Sequence, residues 1–228
     1  MPSTHPPIGP LVDAHAARRP ERVVLEGRTV KLVPLDAEAH SDELFAAIEG
    51  HDHIWAYMGD GPFSTREAFQ TSLAAKAKSE DPLFFAILDK ASGHAVGYQT
   101  LMRIDVVNRV VEVGNIVYAP CLQRTIAATE AQYLLARHVF DDLGFRRYEW
   151  KCNDLNAPSK RAATRYGFAF EGVFRQHMII KGRNRDTAWY SLLDSEWSVR
   201  RAVFERWLDP GNFDADGRQL AALETRRG

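Results

Sequence analysis

Tyr148, Trp150 and Cys152 alternate with Glu149, Lys151 and Asn153. A period of two sends successive side chains to opposite faces, so this stretch predicts a half-buried β-strand. Upstream, Leu83–Leu88 is a continuous apolar run, Ala95–Met102 follows a Ser92-Gly93 turn, and Val110–Tyr118 is rich in valine. Each has the composition of a strand. Val23–Leu25 and Thr29–Val33 flank Glu26-Gly27 as the arms of a tight hairpin would. Two further strands are predicted near 168–180 and 186–193, separated by the polar turn Lys181–Arg185.

Elsewhere the apolar spacing becomes helical. Leu44, Phe45 and Ile48 follow a capping Asp36 and stop at Gly50. Ser64 stands three residues before Glu67, a capping-box spacing ahead of Phe69 and Leu73. Ala131, Leu134, Leu135 and Val139 predict a helix near 127–142 with Gly144 as its C-cap. A short helix near 157–166 ends at Gly167, and a last one presents Val199, Val203, Phe204 and Trp207 on one face before Pro210-Gly211. Between the first two helices, His51–Phe63 carries Trp55, Tyr57, Gly59, Gly61 and Phe63 and reads as a covering loop. The order of elements predicts a mixed α/β sheet with a central strand–helix–strand unit. Residues 1–21 read as a proline-punctuated arm, expected to be flexible. A single domain is expected over 22–209, with a polar tail over 210–228 that has a weak helical signal at Gln219–Leu223.

Composition narrows the partners. Of 228 residues 45% are hydrophobic and 26% charged, which is ordinary for a globular domain with a core. The formal charge of −1 gives no global field toward nucleic acid or an anionic membrane, and neither is expected as a partner. Lys181, Arg183 and Arg185, like Arg146 and Arg147, read as solvated basic clusters. Cys121 and Cys152 are too few and too far apart for a disulfide framework. The first twenty residues lack the apolar run of a secretory signal, and no stretch has the apolar length of a membrane span, so the expected setting is cytoplasmic. His51 and His53 flank Asp52 without a third ligand at metal spacing, so no metal is expected. The phosphate loop of ATP-binding proteins is absent.

The chemistry concentrates where the valine-rich strand meets the next helix. There the chain reads Ala119-Pro120-Cys121-Leu122-Gln123-Arg124-Thr125-Ile126-Ala127-Ala128-Thr129-Glu130. A helix N-terminus presents unsatisfied amides and a partial positive charge, which together favour a phosphate. Small residues at 127 and 128 let a ligand approach that backbone.

Glu112 through Pro120, followed by Gln123 through Ala131, resembles the acetyl-CoA-binding core of GNAT-type acetyltransferases. Downstream, Asn156-Ala157-Pro158-Ser159, then Arg161 and Tyr166-Gly167-Phe168, resembles that superfamily's Asn-x-x-Ser…Gly-Phe segment. Asp186, Tyr190-Ser191-Leu192 and Glu196-Trp197 place the likeness in the RimJ/RimL-like branch, over most of residues 23–208.

The resemblance implies a GNAT-like fold, a twisted mixed sheet of about seven strands with a splayed pair for acetyl-CoA. It also implies an acyltransferase moving an acetyl group to an amine, of a small molecule or a protein N-terminus. Backbone amides of Gln123, Arg124, Thr125, Ile126, Ala127 and Ala128 would hold the pyrophosphate. Ile116, Val117 and Tyr118 would pair with the pantetheine arm, and an amide near Ile116 or Val117 would stabilise the thioester oxyanion. Asn156 would bind pantetheine or fix the neighbouring loop, or simply cap its helix. The family cradle reads Gln/Arg-x-x-Gly-x-Gly/Ala, and here Ile126 and Ala128 stand at the two small-residue positions. Isoleucine does not readily take a positive φ, which weakens the expected cradle.

Acyl transfer to an amine needs a base and an acid. Many GNAT enzymes use a tyrosine as the acid, but Ala163 occupies that position. Ser159 is the candidate instead, its alternative being a first-turn helix residue. Glu112 leads as base, against the alternative of a surface glutamate, with the strand histidine His177 second. Trp55, Tyr57 and Phe63 either wall the acceptor pocket or seal the core. Cys152 has no His–Asp arrangement to make it a nucleophile, so direct transfer is expected. A catalytically silent CoA-binding or interaction module is the competing function. An acidic acceptor groove would favour polyamines and an open one a peptide. The arm and the tail are each compatible with a homodimer contact or with disorder.

Overall fold

The computed structural model describes residues 8–224, so Pro2, Pro6 and Pro7 of the arm and residues 225–228 of the tail lie outside the described residues. Strands β1 (Leu25–Glu26), β2 (Val30–Pro34), β3 (Leu83–Asp89), β4 (Ala95–Asp105), β5 (Val110–Tyr118), β6 (Arg147–Asn153), β7 (Ala169–Ile180) and β8 (Arg183–Leu193) form one sheet. Its order is β1-β2-β3-β4-β5-β6-β8-β7. Every neighbouring pair is antiparallel except β5–β6, which is parallel. That parallel pair needs a crossover, and helix α3 (Ile126–Arg137), continued by a π-turn over His138–Asp142, supplies it.

Helices cover both faces, so the central strands are apolar on both sides. Helices α1 (Ala37–Ile48) and α2 (Arg66–Lys78) bury Leu44, Phe45, Phe69 and Leu73 against Phe84 and Tyr98. On the other face α3 and α5 (Asp194–Leu208) bury Leu134, Leu135, Phe204 and Trp207 in one cluster with Phe85, Val113 and Tyr148. Helix α4 (Ala157–Arg165) adds Ala163 to this second core.

One carboxylate ties the first hairpin to the crossover helix. Glu130 of α3 accepts from the backbone N–H groups of Arg28, Thr29 and Val30 at 2.7, 2.6 and 3.2 Å, and from the Thr29 hydroxyl. The hairpin turn must come close for this. A Cβ on Gly27 would sit 2.6 Å from the Glu130 carboxyl carbon, which is why the Glu26-Gly27 turn carries a glycine.

The β5–β6 ladder stops early. Its register runs from Val110↔Arg147 to Val113↔Trp150, after which β6 stays with β8 through Asn153↔Thr187 while β5 stays with β4 through Gly97↔Tyr118. Asn115, at φ 46, lies in the bulged stretch of β5 where the two strands part. The splayed pair expected from the sequence is therefore present, within eight strands rather than about seven.

Several local expectations move. The cap of α2 is Thr65, not Ser64: at φ −137 it accepts from the Ala68 amide at 3.2 Å. The polar turn after β7 shrinks to Lys181-Gly182, because both take left-handed backbone (φ 49 and 70) and make a two-residue hairpin. On α5 the buried stripe is Trp197, Arg200, Phe204 and Trp207, and Val199 is 62% exposed. Gln219–Leu223 forms no helix. Instead Trp207 Nε1 donates to Gln219 Oε1 at 2.9 Å, and Leu223 is buried in the α3–α5 core. The stretch before β1 is held where Ala17 donates to the Val106 carbonyl and Arg18 to that of Leu143, both at 2.9 Å. Among the described residues no helix is long and apolar enough to cross a membrane.

Candidate active site

A cavity of about 1870 Å³ is lined by the start of α3, the diverging edges of β5 and β6, the start of α4 and the β7–β8 hairpin. Among the described residues nine lysines and arginines line it, against two carboxylates, Asp89 and Glu112. Such a surface favours a polyanion.

At its α3 end Thr125 caps the helix, its Oγ1 accepting from the Ala128 amide at 3.1 Å and donating to the Leu122 carbonyl at 2.6 Å. The amides of Gln123 and Thr125 are also engaged, with the carbonyls of Ala119 and Leu122. Of the six amides expected in the cradle, those of Arg124, Ile126 and Ala127 have no protein acceptor among the described residues. Free amides on a helix's first turn, at its positive end, fit a phosphate. The isoleucine does not obstruct this. The left-handed residue of the loop is Arg124, at φ 64, while Ile126 is already helical and packs its side chain against the α3–α5 core. The cost expected from isoleucine at a glycine position is thus avoided by moving the positive φ two residues upstream.

The edge of β5 continues the site. The Ala119 amide donates across to Val96 of β4 at 3.0 Å. Strand alternation therefore turns the Val117 amide toward β4 and the Tyr118 amide toward the open side facing β6, while Ile116 lies in the bulged stretch and lines the cavity. Val117 itself is buried in the α1–α2 core. The Tyr118 ring points into a polar knot, donating to Gln99 Oε1 at 2.6 Å and accepting from Gln132 Nε2 at 2.7 Å. Gln123 Nε2 donates to the Tyr118 carbonyl at 2.9 Å, fastening the cradle to the strand.

Across the divide, Asn156 Oδ1 accepts from the Ser159 amide at 3.1 Å, so Asn156 caps α4 while also lining the cavity. Ser159 Oγ accepts from Trp150 Nε1 at 3.0 Å and stands between the Cys152 thiol and the cavity. Cys152 is buried, and burial pushes its thiol up against the opposing pull of Ser159, the reverse of what a nucleophile needs.

Glu112 is not a surface residue. Its Oε2 lies 3.0 Å from Lys151 Nζ and 3.1 Å from Arg103 Nε. Burial holds its carboxyl above the usual range, with Lys151 and then Arg103 pulling the other way. Lys151 also meets Glu149 at 2.7 Å and sits over the Trp189 ring at 3.8 Å, with its side chain only 5% exposed. The polar face that alternation assigns to β6 is therefore buried too, but as an ion-paired layer. His177 shares Thr187 Oγ1 with Arg185: the histidine Nδ1 is 2.9 Å away, and Arg185 Nε donates at 3.1 Å.

The covering loop divides. Tyr57 lines the cavity and donates to the Leu155 carbonyl at 3.1 Å. Trp55 and Phe63 are not pocket walls. Trp55 is 2% exposed and meets Phe63 edge-on at 5.2 Å, and Phe63 meets Phe69 at 5.4 Å, inside the α1–α2 core. Their place on the cavity is taken by His53, Ile54 and Met58. Sequence reasoning also missed Arg103, Lys151 and Arg185, and the tail residues Phe213, Arg218 and Gln219, all of which line the cavity. Among the described residues no group of His, Cys, Asp and Glu could hold a metal.

The family model for the acetyltransferase (GNAT) domain matches residues 29–169. A crystal structure of a GCN5-related N-acetyltransferase from Brucella melitensis shares 52% identity, covering 92% of this chain and 96% of that one, with a TM-score of 0.90. A structure from Chromobacterium violaceum ATCC 12472, described as a probable acetyltransferase of the GNAT family, shares 38% identity over 87% of this chain and all of the other, with a TM-score of 0.79. "Putative ribosomal N-acetyltransferase YdaF" of Bacillus subtilis (strain 168) is 29% identical over 105 residues, 46% of this chain. The match spans 57% of the length of that curated relative. With a parted parallel strand pair, free amides at the crossover helix and a family match over most of the sheet, the chain belongs to the GNAT acetyltransferase family.

Proposed function

We propose that the protein is an acetyl-CoA-dependent N-acetyltransferase that passes the acetyl group directly to an amine, of a small molecule or a protein N-terminus. The observation that carries this reading is a single cavity into which the free first-turn amides of α3, the open edge of β5, Glu112 and Ser159 all face. Acetyl-CoA would supply the activated acetyl group as a thioester. The amides of Arg124, Ile126 and Ala127 hold its pyrophosphate, and the edge from Ile116 to Tyr118 pairs with the pantetheine arm. The Ile116 amide donates to the thioester carbonyl oxygen, where charge develops during attack.

Glu112 takes the proton of the attacking amine. Its raised proton affinity suits this, since an ordinary carboxylate is too weak a base for an ammonium. Ser159 Oγ, oriented by the Trp150 indole, gives a proton to the departing sulfur. Glu112→Gln should lower kcat about a hundredfold and remove the acidic limb of the pH–rate profile, because that limb reports protonation of the carboxylate. Lys151 keeps Glu149 as partner in this variant, so acetyl-CoA affinity should hold. Unchanged turnover would leave Glu112 as a counter-ion only. Ser159→Ala should lower kcat about tenfold with acetyl-CoA affinity unchanged, measured by single-turnover thiol release. Wild-type rates would reduce Ser159 to a helix residue.

Calorimetric titration with acetyl-CoA, followed by thiol release over a panel of amines, tests the proposal as a whole. Binding with amine-dependent release supports it. Absence of binding overturns it.

A further inference from the structure

The groups around Glu112 carry more positive charge than the chemistry of transfer needs. Lys151 is paired with Glu112 and Glu149, and Arg103 with Glu112. Arg185 is different. It lines the same cavity, half-buried on β8, and has no carboxylate within 4.0 Å among the described residues. Its one hydrogen bond among the described residues goes from Nε to Thr187 Oγ1 at 3.1 Å, which fixes the plane of the guanidinium and leaves its Nη groups for another partner.

Three cations, Arg103, Lys151 and Arg185, converge on His177 with sufficient effect to push its imidazole down, after burial itself. Among the described residues Glu112 is the one carboxylate lining this end of the cavity, Asp89 being the other on its wall. Burial pulls Arg185 below its ordinary value; Cys152 and Glu112 pull the other way from a distance, and Arg103 adds to the fall. A partly desolvated guanidinium with two free nitrogens is unfavourable until an anion meets it. Its fork matches a carboxylate or a phosphate through two parallel hydrogen bonds.

Resting on the transferase reading above, we infer that the acceptor is an amine that also carries an anionic group, carboxylate or phosphate, and that Arg185 recognises this group. Arg185 Nη donates to the anion and Thr187 holds the fork in place. The amine is then presented toward Glu112. A polyamine meets repulsion from Arg185, Arg103 and Lys151 instead. Arg185 is thus a specificity residue, and the basic cluster that the sequence presents as a solvated turn supplies it.

The test compares matched acceptors in the thiol-release assay: free amino acids against their carboxamides, phosphoethanolamine against ethanolamine, and spermidine as the cationic control. The anionic member of at least one pair should exceed its neutral partner about tenfold or more in kcat/KM, which corresponds to one well-placed charged hydrogen-bond pair. Which pair shows the preference distinguishes carboxylate from phosphate. Arg185→Gln should collapse the preference to within about threefold, mainly through KM, with acetyl-CoA affinity kept, and Arg185→Lys should restore part of it. Retained acetyl-CoA binding shows that each variant is folded. Equal use of neutral amines or spermidine, or a preference that survives Arg185→Gln, overturns the inference. Acetyl-CoA binding with no anionic amine acetylated also overturns it, while leaving cofactor binding intact. No acetyl-CoA binding by the wild-type protein removes the transferase reading itself.

Discussion

Thr125→Asp should weaken acetyl-CoA binding about thirtyfold while leaving the protein as stable as before. Thr125 is the N-cap of α3, its hydroxyl oxygen accepting from the Ala128 amide. Aspartate is at least as good a cap as threonine, and its charge suits the positive end of the helix. The helix therefore keeps its start. The same charge, though, now lies beside the free amides of Ile126 and Ala127, which the proposed function assigns to the phosphates. Two like charges about 4–6 Å apart near a protein surface repel by roughly 3–4 kcal/mol before screening; salt and solvent at this open site reduce that to roughly 2 kcal/mol, which is about thirtyfold in affinity. Calorimetry and a melting curve on the same sample separate the two effects. A variant that melts normally and binds normally would show that the phosphates lie elsewhere.

Glu130→Ala should cost about 3 kcal/mol of stability. The Glu130 carboxylate accepts from three consecutive backbone amides and a hydroxyl in the β1–β2 turn, and Val30 within that set is fully buried. Removing the acceptor strands those donors, and hydrogen bonds to a charged group contribute about 1.5–3 kcal/mol each in favourable settings. For a chain of this size the loss corresponds to a fall in Tm of about 6–12 °C. Glu130→Gln, which keeps one carbonyl acceptor, should lose about half as much. Melting curves of both variants check the ordering. Equal Tm values for wild type and Ala would mean the turn is held by its other contacts.

What the sequence disclosed and what it hid have physical causes. The alternation at Tyr148, Trp150 and Cys152 identified β6, because a half-buried strand must alternate. It could not say that Glu149 and Lys151 on the other face are buried as well, since that depends on β8, Trp189 included, arriving to cover them. Thr65 and Ser64 are both good caps, and composition alone does not choose between adjacent residues. Helical spacing allowed either Val199 or Trp197 onto the inner face of α5, and the larger aromatic took it. Ile126 looked costly only while the positive φ was assigned to its own position, but the backbone places it at Arg124. Trp55 and Phe63 show the limit most plainly. An aromatic loop residue serves a pocket or a core equally well, and only its neighbours decide. Arg185 was visible as charge but not as a member of the cavity, because the hairpin turn proved two residues long and returned it to the sheet.

The early end of the β5–β6 ladder also bears on how long the protein survives. Past Val113 and Trp150 the sheet has an internal edge, and under the proposed function the pantetheine arm would pair with that edge as a further strand. Anything that binds the folded chain and not the unfolded one stabilises it by mass action, by about 2.7 kcal/mol at a hundredfold excess over Kd. Resistance to unfolding, and so to proteolysis, would then rise and fall with the supply of the acyl donor. A cell short of acetyl-CoA would lose the protein as well as its substrate.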